Sequence, residues 1–189
     1  GGLEFINQLH NEKANMWYLT TWGDNVPFHI YTREKKLEVA DFTGLRIRVT
    51  PVYRALIQSL GGSIVVIPPP ELQAALERGV VDGFGWPLWD LRGLGVERYT
   101  KYRIDPGFYH TTQCFVMNLD KWRSLPKATQ DLLTRKAAEF EMNFARGAAA
   151  RNEQYREEQQ KVGISVVNLS SDVAARYIRA AYDAGWEEA

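Results

Sequence analysis

The chain has 189 residues, and its 23 Lys and Arg balance 23 Asp and Glu, so the formal net charge is zero. Nucleic-acid-binding domains usually carry a basic excess that replaces condensed counterions, and the charge balance argues against that class. The 45% hydrophobic and 24% charged composition is that of a globular protein. The single cysteine, Cys114, excludes an internal disulfide and a multi-cysteine zinc site.

The amino-terminal quarter of the chain predicts one helix and three strands. Apolar residues at near-helical spacing predict a helix over residues 3–14. Strand-forming residues fill 17–22 and end at the turn signal 23–25, and a second strand is predicted over 28–32. Residues 45–49 read Leu-Arg-Ile-Arg-Val, and this alternation predicts a strand with one apolar and one basic face.

The following segment alternates short helices with strands. A helix is predicted over 51–60, a buried strand over 64–67 and a second helix over 71–78. A further strand is predicted to begin at Val80 and Val81, with Asp82 and Gly83 interrupting it. Strands and helices that alternate with short links predict parallel β-α-β units, and therefore an α/β protein.

Residues 84–110 are about a quarter aromatic, against 12% for the whole chain, and Gly and Pro interrupt them. This segment is therefore not expected to form a single regular element. A strand is predicted over 111–118, leaving the aromatic segment.

One long helix dominates the carboxyl-terminal third. Residues 127–162 contain no Pro and a single Gly, and they keep a loose helical stripe of apolar residues. A helix of that span is roughly 50 Å long, which is more than one domain of this size needs. A strand over 164–169 and a final helix over 170–186 are predicted to follow.

No sequence motif for catalysis is present: the chain lacks a phosphate-binding loop, a dinucleotide fingerprint and a nucleophile elbow. His10, His29 and His110 are far apart in sequence, so no metal site is predicted. Cys114 lies in an apolar strand pattern and is interpreted as a small buried hydrophobe. An enzyme on an α/β scaffold would have to assemble its groups from the distant candidates Asp82, Asp90, Asp105 and His110.

Arg46 and Arg48 share the polar face of the predicted strand at 45–49, and two interpretations stay open. They are either solvated charges on an exposed sheet face, or an arginine at the carboxyl end of a strand, where α/β sheets bind ligands. Arg48 is nearer that end, and its planar guanidinium suits the recognition of both oxygens of a carboxylate.

The aromatic segment also has two interpretations. Trp86, Trp89, Phe108 and Tyr109 are either core residues or the wall of a ligand pocket, since such pockets are mostly apolar with a few placed polar groups. Trp86 follows a Gly-x-Gly break at a predicted strand end, and this loop-like position favours the pocket.

Several segments together resemble one receptor family. Residues 41–49 are similar to the DFKGLKIRV strand of the periplasmic solute-binding receptors of tripartite ATP-independent (TRAP) transporters. The similarity continues in order at residues 60–62 (Leu-Gly-Gly), 70–76 (Pro-Glu-Leu-Gln-Ala-Ala-Leu), 79–83 (Gly-Val-Val-Asp-Gly), 116–118, 121–122, 125–126 and 130. Order and spacing fit from about residue 17 to the end of the chain.

The resemblance implies a periplasmic-binding-protein-like α/β fold with two lobes, a cleft between them and a long helix spanning both. It also implies that this chain is a carboxyl-terminal fragment without a signal peptide. Residues 1–25 would be a remnant of lobe 1, 26–112 lobe 2, 113–162 a return to lobe 1 with the spanning helix, and 163–189 a strand and helix mainly in lobe 2. Such a fragment would expose an unpaired sheet edge and apolar faces, so on its own it is expected to self-associate or to be only partly ordered.

The resemblance further implies a ligand site. The arginine of the family's KIRV strand, here Arg48, binds the ligand carboxylate. Three residues after the Val-Asp-Gly turn, many relatives place Asn in a QENP motif, where this chain has Trp86. A tryptophan there resembles the branch that binds 2-oxo and 2-hydroxy acids. Some members of that branch hold the acid through a cation beside an acidic residue, but Gly85 occupies that position, so neither a metal nor another cofactor is expected.

The sequence is thus interpreted as an extracytoplasmic TRAP solute receptor of the periplasm and not an enzyme. It would bind a small organic-acid anion, namely a 2-oxo, 2-hydroxy or aromatic carboxylate, and deliver it to the TRAP membrane permease subunits. A sensor domain of the same fold is the alternative, and an α/β enzyme is the weaker one. The expected ligand-binding residues are Arg48, Trp86, Phe84, Phe108 and Tyr109.

Overall fold

The computed structural model describes residues 2–110 and 112–188. The strands are β1 (Met16–Trp22), β2 (Pro27–Thr32), β3 (Arg46–Val49), β4 (Ser63–Val66), β5 (Gly83–Pro87), β6 (Tyr102–Asp105), β7 (Tyr109–His110), β8 (Gln113–Asn118) and β9 (Ser165–Asn168). The α-helices are α1 (Gly2–Ala14), α2 (Arg54–Ser59), α3 (Leu72–Glu77), α4 (Leu119–Ser124), α5 (Lys127–Lys161) and α6 (Ser171–Glu188). Short 3₁₀ turns lie at Pro51–Tyr53, Pro69–Glu71 and Glu97–Tyr99.

The chain divides into two compact units. Unit 1 comprises Gly1–Asn25 and Thr111–Ala150, and unit 2 comprises Val26–His110 and Arg151–Ala189. The assignment of these segments to the lobes of a complete receptor stays a prediction.

Unit 2 is built on one mixed sheet. Its strand order is β4-β3-β5-β2-β6-β9, and β7 pairs with β2. Strand β3 runs parallel to β4 and β5, while β2 runs antiparallel to β5 and β6, and β6 runs parallel to β9. The parallel β4-β3-β5 group confirms the β-α-β units and the α/β class predicted from the sequence.

The two faces of this sheet carry separate cores, because successive side chains of a strand point to opposite faces. Ile47, Val49 and Phe108 belong to one buried cluster. Phe84 belongs to the other, into which α3 contributes apolar side chains. Arg48 is the register partner of Phe84 across β3 and β5, so its side chain leaves the sheet on the Phe84 face.

Strand β5 differs from its prediction. The sequence predicted a strand at Val80 that ends at Gly83, whereas the structure begins β5 at Gly83 and includes Trp86 in it. The glycine here is required by close packing and not by a turn: a Cβ at Gly83 would lie 2.4 Å from the Tyr31 carbonyl oxygen. A glycine that permits close approach of two backbones looks, in sequence, like a strand break.

Gly83→Ala should lower the free energy of unfolding by about 2 kcal/mol or more, because the added methyl group meets a backbone oxygen that cannot move alone. Urea denaturation of the full-length protein measures it. Gly185→Ala is the matched control, since nothing lies within 4 Å of a Cβ at that position of α6. Alanine there should raise stability by up to about 1 kcal/mol, because it favours the helix. Equal losses in both variants would contradict the packing argument.

Unit 1 contains a two-stranded sheet in which β1 pairs antiparallel with β8. The Trp17 and Trp122 rings stack with their centroids 4.8 Å apart, which joins β1 to helix α4, an element that the sequence did not predict.

Cys114 is exposed, so its interpretation as a buried hydrophobe is wrong. Phe5 and Phe115 are 64% and 47% exposed. Apolar side chains in water favour association, and the self-association expected from the sequence stays a prediction.

Helix α5 is 35 residues long and confirms the long helix predicted from the sequence. Throughout residues 2–110 and 112–188, the structure contains no helix with both the length and the hydropathy needed to cross a membrane.

Candidate functional site

The site is centred on Arg48, the third residue of β3. The side chain is almost completely buried, with 1% of its surface exposed. Its Nε donates a hydrogen bond to the Ile67 carbonyl oxygen at 2.9 Å. Its Nη1 is buried and has no hydrogen-bond partner among the described residues. A buried guanidinium nitrogen without an acceptor is costly unless an anion binds it, so Arg48 has the properties of an anion-binding group.

Arg46 lies two residues earlier and has a different environment. Its side chain is 48% exposed and contacts the Asp82 carboxylate at 2.9 Å. It also donates to the Gly79 carbonyl oxygen at 2.7 Å. The ion pair lowers the pKa of Asp82, mainly through the hydrogen bond from Arg46. Each arginine therefore fits a different one of the two interpretations made from the sequence. Arg46 is a paired charge at the surface, and Arg48 is a buried cation near the carboxyl end of its strand.

Trp86 lies on β5, beside β3, and is half-buried. The Arg48 Cζ atom is 5.5 Å from the centroid of the Trp86 ring. A guanidinium at this distance from an indole is attracted by the negative face of the ring. The structure thus brings together the two residues that the sequence placed first in the site.

Phe84, Phe108 and Tyr109 have different positions. Phe84 is completely buried and stacks on Tyr31 with ring centroids 5.2 Å apart, although it shares a sheet face with Arg48. Phe108 and Tyr109 lie on the other face, around Tyr53. Contacts of these three residues with a ligand stay a prediction.

A cavity of about 330 Å³ lies beside Phe108 and Tyr109 in unit 2. Its walls are mainly apolar and include Tyr53, Tyr182 and Trp186, so α6 forms one side of it. Arg48 and Trp86 are not among the residues that line this cavity.

Sequence reasoning missed Tyr53, whose only signal was a place on the apolar side of a short helix. The residue is 3% exposed, and its hydroxyl donates a hydrogen bond to the Gly85 carbonyl oxygen at 2.8 Å. Burial raises the pKa of Tyr53, and the positive charge of Arg48 opposes that rise. Tyr53 therefore lies within the electrostatic reach of the candidate site.

The sequence also did not predict a polar network of Arg103, Asp105, His29 and Gln159. Arg103 donates to both carboxylate oxygens of Asp105, at 2.8 and 3.2 Å, and to Gln159 Oε1 at 2.8 Å. His29 Nδ1 lies 3.0 Å from Asp105 Oδ1. Burial alone would raise the pKa of Asp105, but the hydrogen bonds from His29 and Arg103 outweigh it and hold that pKa well below its usual range.

Two of the four residues considered for the enzyme alternative are held in ion pairs. Asp105 is bound by Arg103, and Asp82 is bound by Arg46. A carboxylate held by an arginine stays ionised and is a poor general acid. Among residues 2–110 and 112–188, no cluster of three or more His, Cys, Asp or Glu side chains is placed to hold a metal ion.

Comparison with curated proteins finds a relative that is 26% identical over 147 residues, the monocarboxylate 2-oxoacid-binding periplasmic protein of Nostoc sp. PCC 7120. The match covers 76% of this chain and 40% of that protein. An uncharacterized Haemophilus influenzae protein is 29% identical over 125 residues, covering 65% of this chain and 38% of its own length. The chain therefore spans about 40% of the curated relatives that it matches.

Solved structures show the same fold at low sequence identity. A Bordetella pertussis extracytoplasmic solute receptor binding pyroglutamic acid superposes with a TM-score of 0.87 at 18% identity, covering 98% of this chain and 61% of the other. A TRAP periplasmic solute-binding protein of Pseudomonas aeruginosa PAO1 with bound L-malate gives a TM-score of 0.85 at 21% identity, covering 98% and 66%. The fold of this chain is thus the α/β fold of these two-lobe TRAP receptors.

The family comparison covers almost the whole chain. The family described as "Bacterial extracellular solute-binding protein, family 7" matches residues 2–188. This match identifies the chain as a member of the family 7 bacterial extracellular solute-binding proteins.

Proposed function

We propose that this chain is the ligand-binding part of an extracytoplasmic solute receptor of a TRAP transporter, and that Arg48 binds the carboxylate of a small organic acid. The observation that carries the proposal is the buried Arg48 side chain, whose Nη1 has no acceptor among the described residues. A buried cation with a free donor stabilises a bound anion strongly, because little water screens it.

The hydrogen bond to Ile67 defines how the carboxylate would bind. A guanidinium offers two forks, one formed by Nε with a terminal nitrogen and one formed by its two terminal nitrogens. The Nε–H of Arg48 is engaged by the Ile67 carbonyl oxygen. The carboxylate would therefore bind end-on, across the two terminal nitrogens.

Trp86 supports the choice of ligand class. The indole offers a large apolar surface next to the Arg48 guanidinium, which suits a short carbon skeleton that carries one carboxylate. The Nostoc relative is named for monocarboxylate 2-oxoacids, and the Bordetella receptor for pyroglutamic acid. We therefore infer a 2-oxo, 2-hydroxy or aromatic monocarboxylate as the ligand.

In the complete receptor, the ligand would bind outside the cytoplasm and be passed to the TRAP membrane permease subunits. Contacts from both lobes would favour the closed form, so that binding and closure are coupled. The function requires no bond making or breaking, and the ligand would be released unchanged.

Calorimetry on the full-length protein that contains this chain tests the proposal. The panel contains pyruvate, 2-oxobutyrate, lactate and benzoate, with pyruvamide, lactamide and benzamide as uncharged counterparts. At least one acid should bind, and its amide should bind far more weakly, because the amide cannot pair with Arg48. Binding of no acid, or equal binding of acid and amide, would contradict the proposal. A ligand that is converted during incubation would favour the enzyme alternative.

A further inference from the structure

Tyr53 connects the turn after β3 to the neighbouring strand β5. It ends the 3₁₀ turn Pro51–Tyr53, and its ring packs against Phe108 with centroids 5.4 Å apart. Its hydroxyl donates to the Gly85 carbonyl oxygen at 2.8 Å, and both residues are buried. The phenol therefore fixes the β5 backbone one residue before Trp86.

The Tyr53 ring occupies the space that a side chain at position 85 would need. A Cβ at position 85 would lie 2.6 Å from the Cε2 and Cζ atoms of Tyr53 and 2.8 Å from its hydroxyl oxygen. No side chain fits at position 85 while Tyr53 keeps this place. The phenol thus lies directly against the strand backbone, and small shifts of the ring would move the strand.

The Arg48 side chain has contacts on more than one side. The Ile67 carbonyl oxygen accepts its Nε–H, and the Trp86 ring lies 5.5 Å from its Cζ. The positive charge of Arg48 also acts on the Tyr53 hydroxyl, whose pKa it lowers against the effect of burial. A long arginine side chain has many rotamers, and contacts on several sides select one of them before a ligand arrives.

We propose that Tyr53 is a positioning residue of the anion site: its hydroxyl holds the Gly85 carbonyl group, so that the Trp86 indole and the Arg48 guanidinium stay packed together. This inference rests on the proposed function. The O–H of Tyr53 is committed to Gly85, so it acts through Arg48 and Trp86 and not by donating to the ligand.

Tyr53→Phe removes the hydroxyl and keeps the ring, and Tyr177→Phe is the matched control. Tyr177 is also completely buried, but its hydroxyl has no partner among the described residues. The first readout needs no ligand: the ¹⁵Nε–¹H signal of Arg48, assigned by its loss in Arg48→Lys, reports exchange of the Nε proton with water. The signal of Arg103, whose Nε donates to Asp105, is the internal reference.

Tyr53→Phe should raise the exchange rate of the Arg48 Nε proton about tenfold, the effect of one buried hydrogen bond, and leave that of Arg103 unchanged. Tyr177→Phe should change neither. Equal acceleration at both arginines would show a general loosening of the unit and overturn the positioning role, as would wild-type exchange at Arg48.

Affinity for the acid of the panel that the wild-type protein binds most tightly, measured on the same full-length variants, is the second readout. Tyr53→Phe should weaken binding roughly three- to tenfold, and Tyr177→Phe should leave it within about twofold. Wild-type affinity in Tyr53→Phe would overturn the inference. If the wild-type protein binds no acid of the panel, the proposed function fails, and the exchange of the Arg48 proton still decides whether Tyr53 holds the guanidinium.

Discussion

Arg48→Met is expected to lower the affinity for the organic acid at least about thirtyfold. Methionine fills much of the volume of the arginine stem but removes the charge and every donor. Truncating one partner of a buried, hydrogen-bonded charge pair costs about 2–5 kcal/mol of binding free energy. Arg48 is 1% exposed, so solvent cannot take over its role. Calorimetry with the panel acids on the full-length protein measures the loss.

Arg46→Met is the matched control for this prediction. It removes the same groups from the same strand, but Arg46 is half exposed and paired with Asp82. Affinity should stay within about twofold, and stability should fall by about 1 kcal/mol or less, the usual value of an exposed ion pair. If Arg46→Met bound the acid as weakly as Arg48→Met, the loss of affinity would result from damage to strand β3, and the specific role of Arg48 would be contradicted. Arg48→Lys should be intermediate, since lysine keeps the charge and loses the fork.

Asp105→Asn is expected to lower the free energy of unfolding by about 3 kcal/mol, the lower end of the cost of breaking a buried ion pair from one side, because the Asp105 side chain is 22% exposed. The Arg103 side chain is 3% exposed and would keep its charge after losing the Asp105 carboxylate that pairs with it. Urea denaturation at pH 7 measures the loss. Asp183→Asn is the control, because Asp183 pairs with Arg179 on the exposed side of α6, and it should cost less than about 0.5 kcal/mol.

The Asp105 variant should also change the pH dependence of stability. The pKa of Asp105 is depressed in the folded protein, so the carboxylate contributes its full stability above the unfolded pKa of about 3.9. Below about pH 4 the unfolded state binds a proton that the folded state does not, and stability falls with pH until the folded pKa is passed. Asp105→Asn should flatten this acid decline. A variant whose stability still falls as steeply below pH 4 as the wild type would contradict this role.

Local sequence patterns predicted the elements that depend on local physics. The apolar and basic alternation of residues 45–49 predicted strand β3, and the absence of Pro from 127–162 predicted α5. Arg48 was favoured for its place near the end of its strand, and the structure adds that it is buried beside Trp86. These features follow from side-chain periodicity, which a single sequence carries in full.

Features that depend on distant partners were not predicted. Gly83 and Gly85 were interpreted as a strand break, because nothing nearby in sequence shows that Tyr31 and Tyr53 press against them. The contact between Arg103 and Gln159 joins residues 56 apart. Such contacts exist only after the sheet and α5 have come together, so no local pattern records them.

The strand order of unit 2 has a consequence for synthesis of the chain on the ribosome. Strand β6 pairs with β9, which lies about 60 residues later in the sequence. At 5–20 residues per second, the ribosome needs roughly 3–12 s to add that length. During this interval one edge of β6 has no partner, and the sheet of unit 2 cannot be completed until β9 has been made. A nascent chain that stays incompletely folded for so long is open to capture by chaperones before it can close.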